Sequence, residues 1–135
     1  MFLALKNKLI NKSEIMTMEL DLFDTTIRFL TKDLDIINIV YDSAEEIKND
    51  IKLILEECTM KQDIDLFEII NTGYINLRNI SSIQIYNDKL DGTPMTVIEV
   101  FWKGNKNLPK SFIREEMTQD EINKLIKTMA ERGLK

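Results

Sequence analysis

Apolar and polar residues alternate through Thr17–Phe23: Met18, Leu20 and Leu22 are apolar, whereas Thr17, Glu19 and Asp21 are polar. A period of two sends the two sets to opposite faces of an extended chain, so the segment predicts a half-buried strand. Asp24-Thr25 predicts a turn, and Thr26–Thr31, carrying Ile27 and Phe29, a second strand. Polar residues from Lys32 to Asp35 separate it from the β-branched segment Ile36–Tyr41, a third strand. The period then lengthens. Ala44, Ile47, Ile51, Ile54, Leu55 and Cys58 recur at helical spacing, and Lys48, Asn49, Lys52, Glu56 and Glu57 take the other face. Ser43 followed by Glu46 is a capping-box pattern, which predicts a helix over Ala44–Glu57.

Beyond the helix, Ile64–Ile70 and Tyr74–Asn79 predict a hairpin around Asn71-Thr72-Gly73. Ile83–Tyr86 predicts another strand, Asp91-Gly92 a turn, and apolar Met95–Trp102 a central strand. Lys103–Arg114, with Gly104, Pro109 and two asparagines, predicts a loop. Thr118 and Glu121 form a second capping box. Ile122, Leu125, Ile126, Met129 and Ala130 make the apolar stripe of a last helix that stops at Gly133. The order β-β-β-α-β-β-β-β-α with hairpin-length connections predicts an α+β fold: a small bent antiparallel sheet or a small barrel with two amphipathic helices.

A chain of 135 residues fits one domain. Lys6 and Lys8 interrupt the apolar residues at the start, which argues against a signal peptide. With Met16 or Met18 as an alternative start, residues 1–15 are expected to be a frayed extension before a single domain over 16–135. No segment approaches the roughly 18 apolar residues of a membrane span, so the expectation is a cytoplasmic protein without a membrane partner.

The residue inventory narrows the chemistry. There is no histidine and one cysteine, Cys58. That removes Ser–His and Cys–His couples, imidazole metal ligands and thiolate zinc sites. No phosphate-binding glycine loop is present. The expectation is a binding protein without catalytic residues, metal or cofactor. Carboxylates alone can still do acid–base work, so the inventory disfavours an enzyme without forbidding one. Cys58, on the apolar face of the first predicted helix, is expected to be a buried small hydrophobe.

Charge is uneven within a net value of −5. Residues 13–68 carry 15 acidic and 5 basic side chains, and residues 69–135 carry 8 and 10. No acid stands between Glu99 and Glu115, where Lys103, Lys106, Lys110 and Arg114 lie beside Trp102, Phe101 and Phe112. Cations meet phosphates and rings stack on bases, so this stretch suits single-stranded RNA. Trp102 would be the stacking ring, and Lys103, Lys106, Lys110, Arg114 and Arg78 the phosphate contacts on an open sheet face. A net acidic chain speaks against it. The alternative is a protein partner met by Glu45, Glu46, Asp50 and Glu56 on the first helix, where regular carboxylates can imitate phosphates. An exposed strand edge would also let two copies pair.

From about Met18 the chain resembles the PrgU family, small proteins of enterococcal sex-pheromone conjugative plasmids. The resemblance lies in its length, its element order and the segments Tyr74-Ile75-Asn76-Leu77-Arg78-Asn79-Ile80-Ser81-Ser82-Ile83 and Val97-Ile98-Glu99-Val100-Phe101-Trp102. It implies a PUA-like β-barrel and an RNA-binding regulator that limits production of surface adhesins during conjugation. It carries no binding residue over to this sequence.

Overall fold

Ten strands and two helices follow one another among the described residues of the computed structural model, which are 1–133 apart from the side chains of residues 105–108. In chain order they are β1 (Phe2–Leu5), β2 (Lys8–Asn11), β3 (Ile15–Asp21), β4 (Thr26–Thr31), β5 (Ile36–Val40), α1 (Ala44–Cys58), β6 (Leu66–Ile70), β7 (Gly73–Asn76), β8 (Ile80–Leu90), β9 (Thr93–Trp102), β10 (Asn105–Glu115) and α2 (Gln119–Gly133). The class is α+β, with antiparallel pairing throughout the three sheets. No barrel closes among the described residues. The chain divides into two compact units, Met1–Arg78 and Asn79–Lys135.

In the first unit the strand order is β5-β4-β3-β7-β6, with β1 and β2 as a separate hairpin. Of the predicted inward residues of β3 and β4, Met18, Ile27 and Phe29 join Ile47, Ile54 and Cys58 of α1 in one core. However, β3 ends at Asp21, which leaves Leu22 exposed in the turn, and Thr17 of the expected polar face is buried. Each such aliphatic side chain contributes about 1.5–3 kcal/mol by leaving water. The Ser43 hydroxyl accepts from the Glu46 amide at 3.3 Å, as the capping pattern required. Cys58 is fully buried, and burial pushes its thiol up to about 11, so it stays a neutral thiol at physiological pH.

Residues 1–15 are not frayed. Leu3, Leu5 and Ile10 are buried members of that core, while Phe2 and Leu9 face outward. The hairpin was hidden in the sequence because its inward and outward positions are both largely apolar, which erases the polarity signal of alternation.

A buried amide ties the first unit together. The Asn76 carbonyl oxygen accepts from the backbone N–H of Asp65 at 3.0 Å and of Arg78 at 3.1 Å. Its Nδ2 donates to the Ile15 carbonyl at 2.8 Å, 61 residues away in sequence. Asp65, also buried, accepts from the Met60 amide at 2.8 Å and so holds the turn after α1.

The second unit is the sheet β10-β9-β8 with α2. Asp91 and Gly92 have φ of 51° and 81°, the paired positive values of a two-residue hairpin turn, so the Asp-Gly signal was correct. The segment 103–114, expected as a loop, is instead mostly β10. Pro109 is tolerated because β10 is an edge strand with a register irregularity between Asn105 and Lys110. The entry to α2 is tied to the sheet: the Met117 amide donates to Thr96 Oγ1 at 2.7 Å, and Asn87 Nδ2 to the Met117 carbonyl at 3.2 Å. Thr118 and Glu121 form the reciprocal cap, at 3.0 and 3.2 Å. The bonds from Thr118 hold the Glu121 carboxyl below the usual carboxylate range.

Two outcomes follow. Asn76→Ala strands the buried Asp65 N–H, the part-buried Arg78 N–H and the Ile15 carbonyl. It is expected to cost about 2–4 kcal/mol in urea unfolding, against about 0.5 kcal/mol or less for an ordinary surface change. Glu121, depressed in the folded state, contributes stability that is present above its ordinary value of 4.5 and fades as pH falls below it. The melting-temperature difference between wild type and Glu121→Ala should therefore shrink from pH 7 to pH 3.

Candidate functional site

The register of the three-stranded sheet decides which residues share a face. Thr96, Ile98, Val100 and Trp102 of β9 alternate to one side, and their partners place Lys110, Phe112 and Arg114 of β10 on that same side. This face is covered: Ile98 and Val100 are fully buried and Phe112 nearly so. Trp102 is 1% exposed, so its ring is unavailable to stack on a base. Lys110 and Arg114 are half-buried, with Lys110 Nζ 5.6 Å from the centre of the Phe112 ring. Lys103 is exposed in the β9–β10 turn, its amide donating to the Asn79 carbonyl at 2.9 Å. The Lys106 side chain lies outside the described residues. Arg78 belongs to the first unit, where its Nε donates to the Lys61 carbonyl at 2.9 Å.

The opposite face of that sheet carries Gln84, Tyr86, Phe101, Ser111 and Ile113, all at least partly exposed. Its charged side chains among the described residues are Asp88, Glu99 and Glu115. Glu99, hydrogen-bonded to the Tyr86 hydroxyl, pushes that phenol up from its ordinary value. A phosphate chain laid across this face would meet carboxylates. The expected combination of a stacking ring with cations on an open face is thus not assembled: the cations leave from the covered face or the turn, and the ring is interior.

The first unit presents a different arrangement. A groove of about 210 Å³ is lined by Leu3, Ala4, Leu5 and Lys6 on the β1 side and by Asp50, Leu53, Ile54 and Glu57 of α1. Leu53 is 57% exposed. It sits one helical turn from Asp50, Glu56 and Glu57, so an apolar side chain stands among three carboxylates. Two of the four acids singled out from the sequence are partly engaged. Asp50 accepts from the Tyr41 hydroxyl at 2.7 Å, and Glu46 pairs with Lys6 at 3.6 Å, whose ammonium also lies 4.7 Å from the centre of the Tyr41 ring. Burial and the Asp50 bond push the Tyr41 hydroxyl far above the ordinary tyrosine range, so it remains a donor. Glu45 and Glu56 are exposed.

Sequence reasoning missed Leu53 as an exposed apolar residue, and it missed the β1 wall altogether. Leu53 falls outside the apolar stripe of α1, and a large apolar residue on the polar face was the available signal. Among the described residues no group of three or more metal-binding side chains converges. No described helix is long and apolar enough to cross a membrane.

Trp102→Ala is expected to cost about 3–5 kcal/mol of stability, as for a buried core ring. Denaturant unfolding checks this; unchanged stability would mean that the ring does not serve the fold.

No family model, curated protein or solved structure matches the chain.

Proposed function

We propose that the chain is a non-enzymatic binding protein whose acidic first unit takes a basic segment of a partner protein at the β1–α1 groove. The supporting observation is the groove itself: an apolar floor, an exposed Leu53, carboxylates at Asp50 and Glu57, and a single lining cation, Lys6, whose charge is paired with Glu46. A partner segment with an apolar anchor next to lysine or arginine matches both features. Apolar burial would supply most of the affinity. The carboxylates would supply rate of encounter and choice of partner, because exposed charges steer more than they bind. The surrounding composition agrees, since residues 13–68 carry 15 acidic against 5 basic side chains. A nucleic-acid backbone would be repelled by the same surface.

The test is a low-salt pull-down from host lysate with the double variants Leu53→Glu/Glu57→Lys and Lys103→Glu/Lys110→Glu. The proposal expects the first pair to lose the captured protein by about tenfold and the second to keep it. Capture lost with the second pair and kept with the first, together with RNase-sensitive absorbance at 260 nm, would replace it with RNA binding.

A further inference from the structure

β5 is the end strand of the five-stranded sheet, hydrogen-bonded on one side to β4. The ladder fixes which backbone groups face outward. Thr31 N–H donates to the Asp35 carbonyl at 3.0 Å and Tyr41 N–H to the Thr25 carbonyl at 2.8 Å. With the register Thr26↔Val40 to Leu30↔Ile36, residues 35, 37, 39 and 41 bond to β4. The N–H and C=O of Ile36, Asn38 and Val40 therefore point away from β4, to the side where no strand of the sheet stands. These residues are also exposed, Ile36 at 59% and Val40 at 64%.

Sheet edges are usually blunted by lysine, proline or a bulge. The other end strands of the three- and five-stranded sheets have such devices: β6 and β8 pair with register irregularities, and β10 has both an irregularity and Pro109. Of the short β1–β2 hairpin, which pairs in regular register, β2 carries Lys8. β5, with the sequence Ile-Ile-Asn-Ile-Val, pairs in regular register and has none of them. At its Val40 end the β3–β4 turn adds Phe23, 96% exposed. The result is an open strand template beside an apolar strip.

Charge selects the occupant. Asp33 and Asp35 precede β5 and Asp42 follows it, all exposed. The cations nearby are Lys32 and, on β4, Arg28, whose Nε is bonded to Asn38 Oδ1 at 3.0 Å. A second copy paired antiparallel about Asn38 would use the same outward groups. It would also bring Asp33, Asp35 and Asp42 of both copies together at both ends, and facing like charges destabilise a strand pair. An extended segment with an apolar centre and cationic ends meets no such repulsion and places its cations on those aspartates.

We infer that β5 is a strand-addition site for an extended, lysine- or arginine-flanked segment of another protein. Main-chain hydrogen bonds to Ile36, Asn38 and Val40 give the affinity, and Asp33, Asp35 and Asp42 select the flanks. The surface is separate from the β1–α1 groove and does not depend on the groove being occupied.

The experiment uses the full chain and a peptide with a Val-Thr-Val-Thr-Val centre and a lysine pair at each end. Amide hydrogen exchange by NMR is the readout. Saturating peptide should slow exchange at Ile36, Asn38 and Val40 by about tenfold or more, while the same peptide with glutamate ends should leave them unchanged. Asn38→Pro removes an outward N–H without touching the ladder to β4, so it should abolish the protection. The triple change Asp33→Asn, Asp35→Asn, Asp42→Asn leaves the backbone intact and should weaken binding by about tenfold at low salt. Peptide protection mapped elsewhere, equal binding of the two peptides, or a free protein that is already dimeric with those three amides protected would each overturn the inference. Loss of the Leu53 groove by Leu53→Glu should leave this binding unchanged, which separates failure here from failure there.

Discussion

The side-chain amide of Asn76 is the constraint on which the first unit turns. One interior amide satisfies the Asp65 and Arg78 N–H groups and the Ile15 carbonyl, and so fixes the start of β3, the approach to β6 and the exit from β7. In a low-dielectric interior a hydrogen bond is strong and an unmade one costly, so a fully satisfied amide specifies one arrangement. Hydrophobic burial supplies most of the stability, but it is non-directional, and a slip of two residues keeps each face on its own side. The amide is directional, and its three partners come from three separate segments.

With that sheet fixed, the acidic surfaces acquire their positions. α1 packs Ile47, Ile54 and Cys58 inward, which turns Glu45, Glu56 and Glu57 to solvent and leaves Leu53 outside the buried stripe. The β1–β2 hairpin then supplies a wall next to Leu53 and makes a groove from what would otherwise be a solvated helix face. At the far end of the sheet order, β5 keeps a regular, unbulged edge. The features that invite a partner are thus consequences of how the core is closed.

The basic stretch shows how a local pattern can mislead. Four cations beside three aromatic residues looked like a strand-binding surface. The regular part of β10, residues 110–115, imposes a two-residue period on Lys110, Phe112 and Arg114. That period turns Lys110, Phe112 and Arg114 to the covered side and leaves Ser111 and Ile113 outside. Sequence proximity placed Trp102 next to Lys103, whereas the pleat put the ring inside and the ammonium in the turn.

Both helices and their caps, the β3–β4 and β8–β9 turns and the central position of β9 were legible in the sequence, because each depends on residues within about one turn of one another. The inert burial of Cys58 was legible for the same reason, through its place on an apolar helical stripe. Tertiary structure alone decided the hairpin of residues 2–11, whose alternation has no polarity contrast, and β10, whose Asn, Gly and Pro composition suits a loop until an edge position tolerates it. It also decided the division into two units, the open sheets in place of a barrel, the groove and the β5 edge. Those depend on which segments meet across tens of residues, and local periodicity and propensity carry no record of that.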